Sequence, residues 1–297
     1  METEKAQHRY RQAETWPAEE ALAAMLDNQF GAFVAVRLAI PALSAAVSAA
    51  AERLRGAGRL VYCGAGTSGR IAVQDGIELR ATFGWPAERL AYLIAGGEAA
   101  LTRSIEGAED DADAAAREAA ALHLGPADVL VAAAASGVTR YTRTVQAAAA
   151  AAGALTIALA NNPGAPLLAE AQHPVLLDTG PEFLAGSTRM TAGTAQKIAL
   201  NLFSTRLMTE LGRVYSGYMV DMVPSNAKLV ERARRMVAAI AGVSDAAAAA
   251  ALERAGGSVK IAVLLLDGLS RADAEARLEA AGGRLDRARP AGGRDCR

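Results

Sequence analysis

The chain has 297 residues, of which 52% are hydrophobic and 21% are charged, and its 31 Lys and Arg against 32 Asp and Glu leave a net charge of −1. This composition excludes a disordered chain, and the balanced charge offers no basic surface to nucleic acid or to an anionic membrane. Two cysteines are too few for a disulfide scaffold, and three scattered histidines lack the spacing of metal ligands. With a polar N-terminus and only short apolar runs, we expect a soluble cytoplasmic protein with neither a membrane span nor a metal site.

The first two thirds of the chain alternate between helical and strand-like stretches. Residues 14–54 are predicted to form two helices, divided at Gly31. The apolar runs that follow are 59–63, 91–95, 128–135, 154–160 and a weaker 174–178, and the helices between them are 69–82, 110–122 and 141–152. Strands that alternate with helices of this length predict a parallel sheet covered by helices on both faces.

The last third is predicted to be helical. A long helix is expected over 191–211, and the apolar run 259–266 fits either a strand or a buried helix. The final stretch is rich in Pro, Gly and Arg, which is typical of a disordered tail. The predicted division is 1–45 for an N-terminal helical segment, 46–224 for the domain that contains the parallel sheet, 225–285 for a small helical module and 286–297 for the tail.

The strongest local signal is the glycine-rich segment 64–70, directly after the first predicted strand. Gly66 and Gly69 permit close approach of the backbone, while Thr67 and Ser68 supply hydroxyl groups at the start of the next helix. Free N–H groups and the positive end of the helix dipole favour a phosphate there. The G-x-G-x-x-G spacing also fits a dinucleotide, but no acidic residue ends the second strand, which favours a phosphate without a nucleotide. A tight turn that binds nothing is the alternative.

Two further segments carry hydroxyl or charged groups beside a strand end or a helix start. They contribute Ser136, Gly137 and Thr139 after the third strand, and Ser187, Arg189 and Lys197 around the start of the long helix. Open parallel sheets bind ligands beyond the carboxyl ends of their strands. Two hydroxyl-bearing loops on one rim predict a phosphorylated small molecule, although exposed Arg and Lys side chains also occur as an ordinary solvated face.

Two glutamates are candidates for proton transfer. Glu78 lies among apolar neighbours near the end of the first helix of the sheet, where we expect a partly buried carboxyl group. Glu109 lies in an acidic stretch whose simpler interpretation is a charged helix start that interacts favourably with the dipole. Spacing alone leaves both interpretations open.

Several of these segments, in this order, resemble the N-acetylmuramic acid 6-phosphate etherase family, which belongs to the sugar-isomerase-fold superfamily. The similar stretches are 64–70, 93–98, 106–110, 134–137, 162–164, 186–197, 219–223 and 226–229. The resemblance covers roughly residues 35–285. The sequence departs from the family pattern at two places. After Glu78, Leu79-Arg80-Ala81 replaces a Cys-Pro-Pro-like turn, and Val138 begins a stretch where the family has an Arg–Thr–Pro pattern.

The resemblance implies a three-layer αβα sandwich with a five-stranded parallel sheet, a C-terminal helical module that includes 259–266 as helix, and a homodimer. It also implies removal of the D-lactyl ether from N-acetylmuramic acid 6-phosphate during cell-wall recycling, with Glu78 and Glu109 at the two acid/base positions and no cofactor. An aldose–ketose isomerase and a non-catalytic sugar-phosphate sensor, similar to glucokinase regulatory proteins, are the alternatives. Retention of both glutamates favours an enzyme.

Overall fold

The structure is a computed structural model that describes residues 1–224 and 226–290. The chain divides into two compact units, the first formed by 1–76 and 88–204 and the second by 77–87 with the chain from 205 onwards. The strands are β1 Leu60–Gly64, β2 Leu90–Ile94, β3 Val129–Ala133, β4 Leu155–Ala160 and β5 His173–Leu176. The helices are α1 Ala18–Leu54, α2 Gly66–Phe83, α3 Ala112–Ala121, α4 Arg140–Ala151, α5 Pro166–Ala169, α6 Thr191–Glu210, α7 Ala227–Ala241, α8 Asp245–Arg254, α9 Val259–Leu266, α10 Arg271–Ala280 and α11 Leu285–Ala288.

The first unit contains a five-stranded sheet in the order β2-β1-β3-β4-β5, and every neighbouring pair is parallel. Gly64, the last residue of β1, pairs with Ile94 on one side and with Ala133 on the other. The chain leaves β1 towards β2 and returns to the opposite side of β1 as β3. The gap between the carboxyl ends of β1 and β3 is therefore a topological switch point, where open sheets bind ligands.

Helices cover both faces of this sheet, so the predicted αβα sandwich is confirmed. Val61 and Cys63 of β1 pack with α4 side chains in one buried apolar cluster. The alternate residue Tyr62 points to the other face, where its hydroxyl donates to Asp75 of α2. The central strands β1, β3 and β4 are buried along their whole length, which explains why they read as continuous apolar runs rather than alternating ones.

Helix α1 corrects the prediction of two helices, because it runs without a break through Gly31 and Pro41. A Cβ atom on Gly31 would make an ordinary contact, 3.5 Å from the carbonyl oxygen of Thr179, so this position lies against a loop inside the helix and does not end it. By length and hydropathy α1 also passes a test for a membrane span, at a mean hydropathy of 1.9 in a window that is 39% buried. The mostly buried core helices of soluble proteins and the signal sequences near an N-terminus share this length and hydropathy.

The second unit is a helical module with its own apolar core, drawn mainly from α7 to α10. Val259–Leu266 is helical, as the family resemblance implied, and Ser258 caps it by accepting from the Ile261 N–H. Lys260 is buried there and donates to Asp221 and to the Gly283 carbonyl at 2.5 and 2.7 Å.

The prediction of a disordered tail from residue 286 is wrong for the first part of that segment. Leu285–Ala288 forms α11, and both of these terminal residues are buried. Arg289 then donates to both carboxylate oxygens of Asp267 at 2.8 Å. A bidentate ion pair and two buried apolar side chains fix this stretch in spite of its composition. The rest of the predicted tail, 291–297, lies outside the described residues.

Candidate active site at the strand ends

A cavity of about 450 Å³ lies at the carboxyl end of the sheet, within the first unit. Its lining combines the start of α2 with the loop after β3, and adds Glu109 and two N-terminal residues. The residues predicted for the site that line it are Gly66, Thr67, Ser68, Ser136, Thr139 and Glu109. Its volume falls in the range of small-molecule sites. The two loops that were predicted to share one rim therefore meet in one cavity.

The N-terminus of α2 opens into this cavity. Gly66 has a positive φ of 52°, and no atom lies within 4 Å of where its Cβ would be, so the backbone itself forms the surface there. The first N–H groups of a helix have no partner within the helix, and here they lie beside the hydroxyl groups of Thr67 and Ser68. This arrangement of dipole, backbone N–H groups and neutral donors is chemically suited to an anion.

The loop after β3 supplies the second set of hydroxyl groups. The Ser136 hydroxyl accepts from the Val138 N–H at 3.2 Å and lies 3.5 Å from the hydroxyl of Thr139. Thr139 directly precedes α4, and its side chain makes no capping bond to that helix. Both hydroxyl groups therefore stay available for a ligand in the cavity.

Two of the predicted glycines have packing roles in place of direct contact with the cavity. A Cβ on Gly69 would lie 2.9 Å from the Gly64 backbone, so Gly69 lets α2 approach β1. Gly137 has a φ of 68°, and a Cβ there would lie 2.4 Å from the Cβ of Ala165. Larger residues at either position would displace the loops that carry the hydroxyl groups.

The third predicted segment contributes Thr188 to the cavity. Ser187 and Arg189 flank it but are not among the residues that line this cavity. Lys197 donates to the Asn201 side chain at 2.5 Å, one turn further along α6. The binding roles of these three residues stay predictions.

The two candidate glutamates differ in position. Glu109 lies in a short 3-10 helix, Ala108–Asp110, and its side chain lines both the larger cavity and a neighbouring one of about 340 Å³. Glu78 lies in α2 and is exposed, so the expectation of a partly buried carboxyl group is wrong for the single chain. Its neighbour Leu79 takes the buried position on that helix, and Glu78 is not among the residues that line either cavity.

The charged side chains of the residues that line the cavity are acidic. Glu4, Glu109 and Asp110 are the carboxylates in its lining, and no Lys or Arg side chain occurs among the described residues that line it. An anion in this cavity would be attracted by the hydroxyl groups and the α2 N-terminus and repelled by the carboxylates. In the described part of the chain, no three His, Cys, Asp or Glu side chains are grouped as a metal site requires.

Comparison with known proteins agrees with this geometry. The family model of the glucokinase regulatory protein N-terminal SIS domain matches residues 42–149. The N-acetylmuramic acid 6-phosphate etherase of Deinococcus radiodurans is 53% identical over 264 residues, which cover 89% of this chain and 87% of that protein. The etherase of Rubrobacter xylanophilus is 47% identical and covers 78% of this chain and 77% of its own length.

Among solved structures, a phosphoheptose isomerase from Francisella tularensis aligns with a TM-score of 0.48 at 18% identity, over 65% of this chain and 100% of that one. The relatives above are much closer, since about half of their residues are identical over most of both chains. The chain belongs to the N-acetylmuramic acid 6-phosphate etherase family.

Proposed function

We propose that this protein is a carbon–oxygen lyase that removes the D-lactyl ether from N-acetylmuramic acid 6-phosphate and releases N-acetylglucosamine 6-phosphate and D-lactate. The observation that carries the proposal is the cavity at the switch point, where the open N-terminus of α2 and a carboxylate, Glu109, line one space. The first suits a phosphate and the second suits proton transfer.

The chemistry requires one group that accepts a proton and one that donates it. In the open-chain aldehyde form of the sugar, Glu109 takes the C2 proton. The C–H electron pair then forms the C2=C3 double bond, the C3–O bond breaks, and the lactyl oxygen takes a proton from Glu78. Water adds at C3 by the reverse steps: it gives a proton to Glu78, and Glu109 returns one to C2. Both carboxyl groups end in their starting states, and no redox partner is needed.

Glu78 is proposed to act from a second copy of the chain. Its side chain is exposed, and so is the adjacent apolar side chain of Ile77, at 58% exposure. Helix α1 presents a longer apolar stripe of exposed side chains, formed by Leu22, Leu26, Phe30, Phe33, Val34 and Leu38. Burial of such a stripe against its own copy supports a homodimer.

A product assay tests the proposed function. The protein is incubated with N-acetylmuramic acid 6-phosphate, and D-lactate is measured alongside the sugar phosphates. Lactate release supports the etherase. Isomerised sugar phosphate without lactate would point to an aldose–ketose isomerase, and tight binding without any product would point to a sensor. Either result would overturn the proposal.

A mixing experiment tests the placement of Glu78. Glu78→Gln and Glu109→Gln homodimers, each inactive on its own, are exchanged into mixed dimers. If Glu78 acts across the dimer, each mixed dimer holds one site with both wild-type glutamates, and lactate release returns. If both glutamates act within one chain, neither site is complete and no activity returns. The second result would overturn the proposed role of the partner copy.

Sedimentation tests the dimer itself. At micromolar concentration we expect about twice the chain mass of 30.5 kDa. Leu38→Glu places a charge on the most exposed side chain of the stripe, at 75% exposure, and should give monomers. Flotation with lipid vesicles tests the alternative that the stripe binds a membrane. Wild-type protein that binds vesicles, together with a Leu38→Glu variant that does not, would point to a membrane-binding surface.

A cytoplasmic location is proposed because a charged sugar phosphate does not cross a bilayer unaided.

A further inference from the structure

The N-terminal segment Met1–Glu4 forms part of the wall of the larger cavity. A short 3-10 helix spans Glu2–Glu4, and Met1 and Glu4 line the same space as Ser68 and Ser136. The first residues of a chain are usually mobile unless they are tied down. Here they are tied down by a specific set of buried hydrogen bonds.

Thr3 provides the anchor, and it is fully buried. Its N–H donates to the Asn162 side-chain oxygen at 3.2 Å, and the Asn162 amide donates to the Thr3 hydroxyl at 3.1 Å. The same amide donates to the carbonyl of Ala135, the residue before Ser136, at 2.9 Å. The Gly186 N–H donates to the Thr3 carbonyl at 2.9 Å. The N-terminal segment is thus fixed to the loop that carries the cavity hydroxyl groups.

The next residue, Glu4, lies directly over Gly186. A Cβ atom on Gly186 would lie only 2.7 Å from a carboxylate oxygen of Glu4, and Gly186 has a positive φ of 78°. The missing side chain at Gly186 therefore leaves the space that this carboxylate occupies. Thr188, two residues further on, also lines the cavity, so Glu4 lies at the edge of a surface that a ligand would touch.

The Glu4 carboxylate has no hydrogen-bond or ion-pair partner in the part of the chain that the structure describes. Its neighbour Glu2 provides the contrast, because Glu2 forms an ion pair with Lys5 at 2.5 Å. A carboxylate on an anchored backbone segment that lines a ligand-sized cavity and lacks a protein partner is an acceptor available to the ligand. Ionised, it accepts but cannot donate, and it repels a phosphate.

We propose that Glu4 is a substrate-contacting residue that accepts hydrogen bonds from the sugar part of the ligand, from a hydroxyl or an amide N–H. This inference rests on the proposed function in so far as it takes the ligand to be a sugar 6-phosphate. Repulsion keeps the phosphate at the Ser68 side of the cavity, and attraction to hydroxyl and N–H donors holds the ring near Glu4. The residue thereby sets the orientation of the sugar relative to Glu109.

The affinities for two different ligands distinguish this role of Glu4 from a general structural role. Dissociation constants are measured for N-acetylglucosamine 6-phosphate and for inorganic phosphate. Glu4→Ala should weaken binding of the sugar phosphate by about tenfold to a hundredfold, as expected for the loss of a hydrogen bond to a charged group. It should leave inorganic phosphate unchanged or bound more tightly, because a negative charge near the anion is lost. Glu2→Ala, in the same short helix, should change neither constant by more than about twofold.

Ser68→Ala is the opposite control, because it should weaken both ligands. Glu4→Gln keeps one acceptor oxygen without the charge and should fall between wild type and Glu4→Ala for the sugar phosphate. Equal losses for both ligands in Glu4→Ala would indicate a distorted cavity and would overturn the inference. Sugar-phosphate affinity within about twofold of wild type would overturn it as well.

The proposed function is tested separately in the same samples. Wild-type protein that binds N-acetylglucosamine 6-phosphate but releases no lactate from N-acetylmuramic acid 6-phosphate would remove the etherase proposal and leave the Glu4 contact in place. Wild-type protein that releases lactate, with Glu4→Ala unchanged in KM and kcat, would keep the etherase and remove the role of Glu4. The expected result is lactate release by wild type and a higher KM in Glu4→Ala.

Discussion

The N-termini of α2 and α6, both in the first unit, show opposite arrangements. The Glu182 carboxylate covers the start of α6: its two oxygens accept from the N–H groups of Thr191 and Ala192, each at 2.9 Å, and Glu182 is fully buried. The start of α2 has no such cover and opens into the cavity at Gly66. A helix N-terminus attracts an anion, and the protein supplies one at α6 while it leaves α2 free for a ligand.

The carboxylates of the first unit also fall into two groups: those with hydrogen-bond donors within the protein and those that line the cavity. Asp75 is buried and accepts from Tyr62, Asn201 and Ser204 at 2.8, 2.5 and 3.1 Å, so its hydrogen bonds are made within the protein. Glu109 is exposed to the cavity. The difference indicates that buried carboxylates with several donors maintain the fold, whereas the carboxylates that line the cavity are the ones we propose to act on ligands. Each class predicts a different result when the carboxylate is removed.

The largest expected effect is on catalysis, at Glu109. Glu109→Gln should lower the rate of lactate release by about 10²–10⁴-fold, the usual contribution of a general acid or base, and leave the unfolding free energy unchanged. Asp113→Asn, an exposed carboxylate in the first turn of α3, is the matched control and should stay near wild type. Lactate release within a few-fold of wild type in Glu109→Gln would contradict its role as the base.

At Glu182 we expect the loss to be in stability and not in catalysis. Glu182→Ala leaves two buried N–H groups at the start of α6 without an acceptor, so the unfolding free energy should fall by about 2–4 kcal/mol. Urea denaturation measures the loss. Glu14→Ala removes an exposed glutamate and should change the unfolding free energy by less than about 0.5 kcal/mol. Equal stability of Glu182→Ala and wild type would show that this cap does not matter.

Much of the fold and part of the site could be predicted from local sequence. The strands and the glycine-rich loop were predicted because apolar runs, glycines and hydroxyl residues are adjacent in the chain. Glu4 could not be found in this way, because Thr3 and its partner Asn162 are 159 positions apart. The exposure of Glu78 was also missed, since the many alanines blur the periodicity that would show which face of α2 is buried.

The Ser68→Ala variant tests the open N-terminus of α2, and we expect it to change the affinity for the ligand. Ser68→Ala removes one donor to the phosphate, worth about 1.5–3 kcal/mol, so affinity for N-acetylglucosamine 6-phosphate should fall about tenfold to a hundredfold. The unfolding free energy should stay close to wild type, because no hydrogen bond within the protein is lost. Calorimetric titration measures the affinity, and an unchanged dissociation constant would argue that the phosphate binds elsewhere.

The smallest expected effect is a pH dependence at Asp128, a structural carboxylate at the start of β3. Burial would raise the pKa of Asp128, but the Arg59 guanidinium and the N–H groups of Arg59 and Gly125 donate to it and bring its pKa below the ordinary value. A lowered pKa in the folded state means that the ionised form stabilises the fold.

That stabilisation is fully present above the pKa of the unfolded chain, which is about 3.9 for Asp, and is lost as the pH falls through the lower value of the folded state. Asp128→Asn cannot ionise, so it should be less stable than wild type at pH 7, and the gap should narrow as the pH falls below about 4. Urea denaturation of both proteins between pH 7 and pH 2 measures this gap. Because Arg59 also bonds to the carbonyls of Leu122 and His123, it stays in place in the variant, and the comparison isolates the charge of one carboxylate. A gap that stays constant over the whole range would mean that ionised Asp128 gains nothing from Arg59.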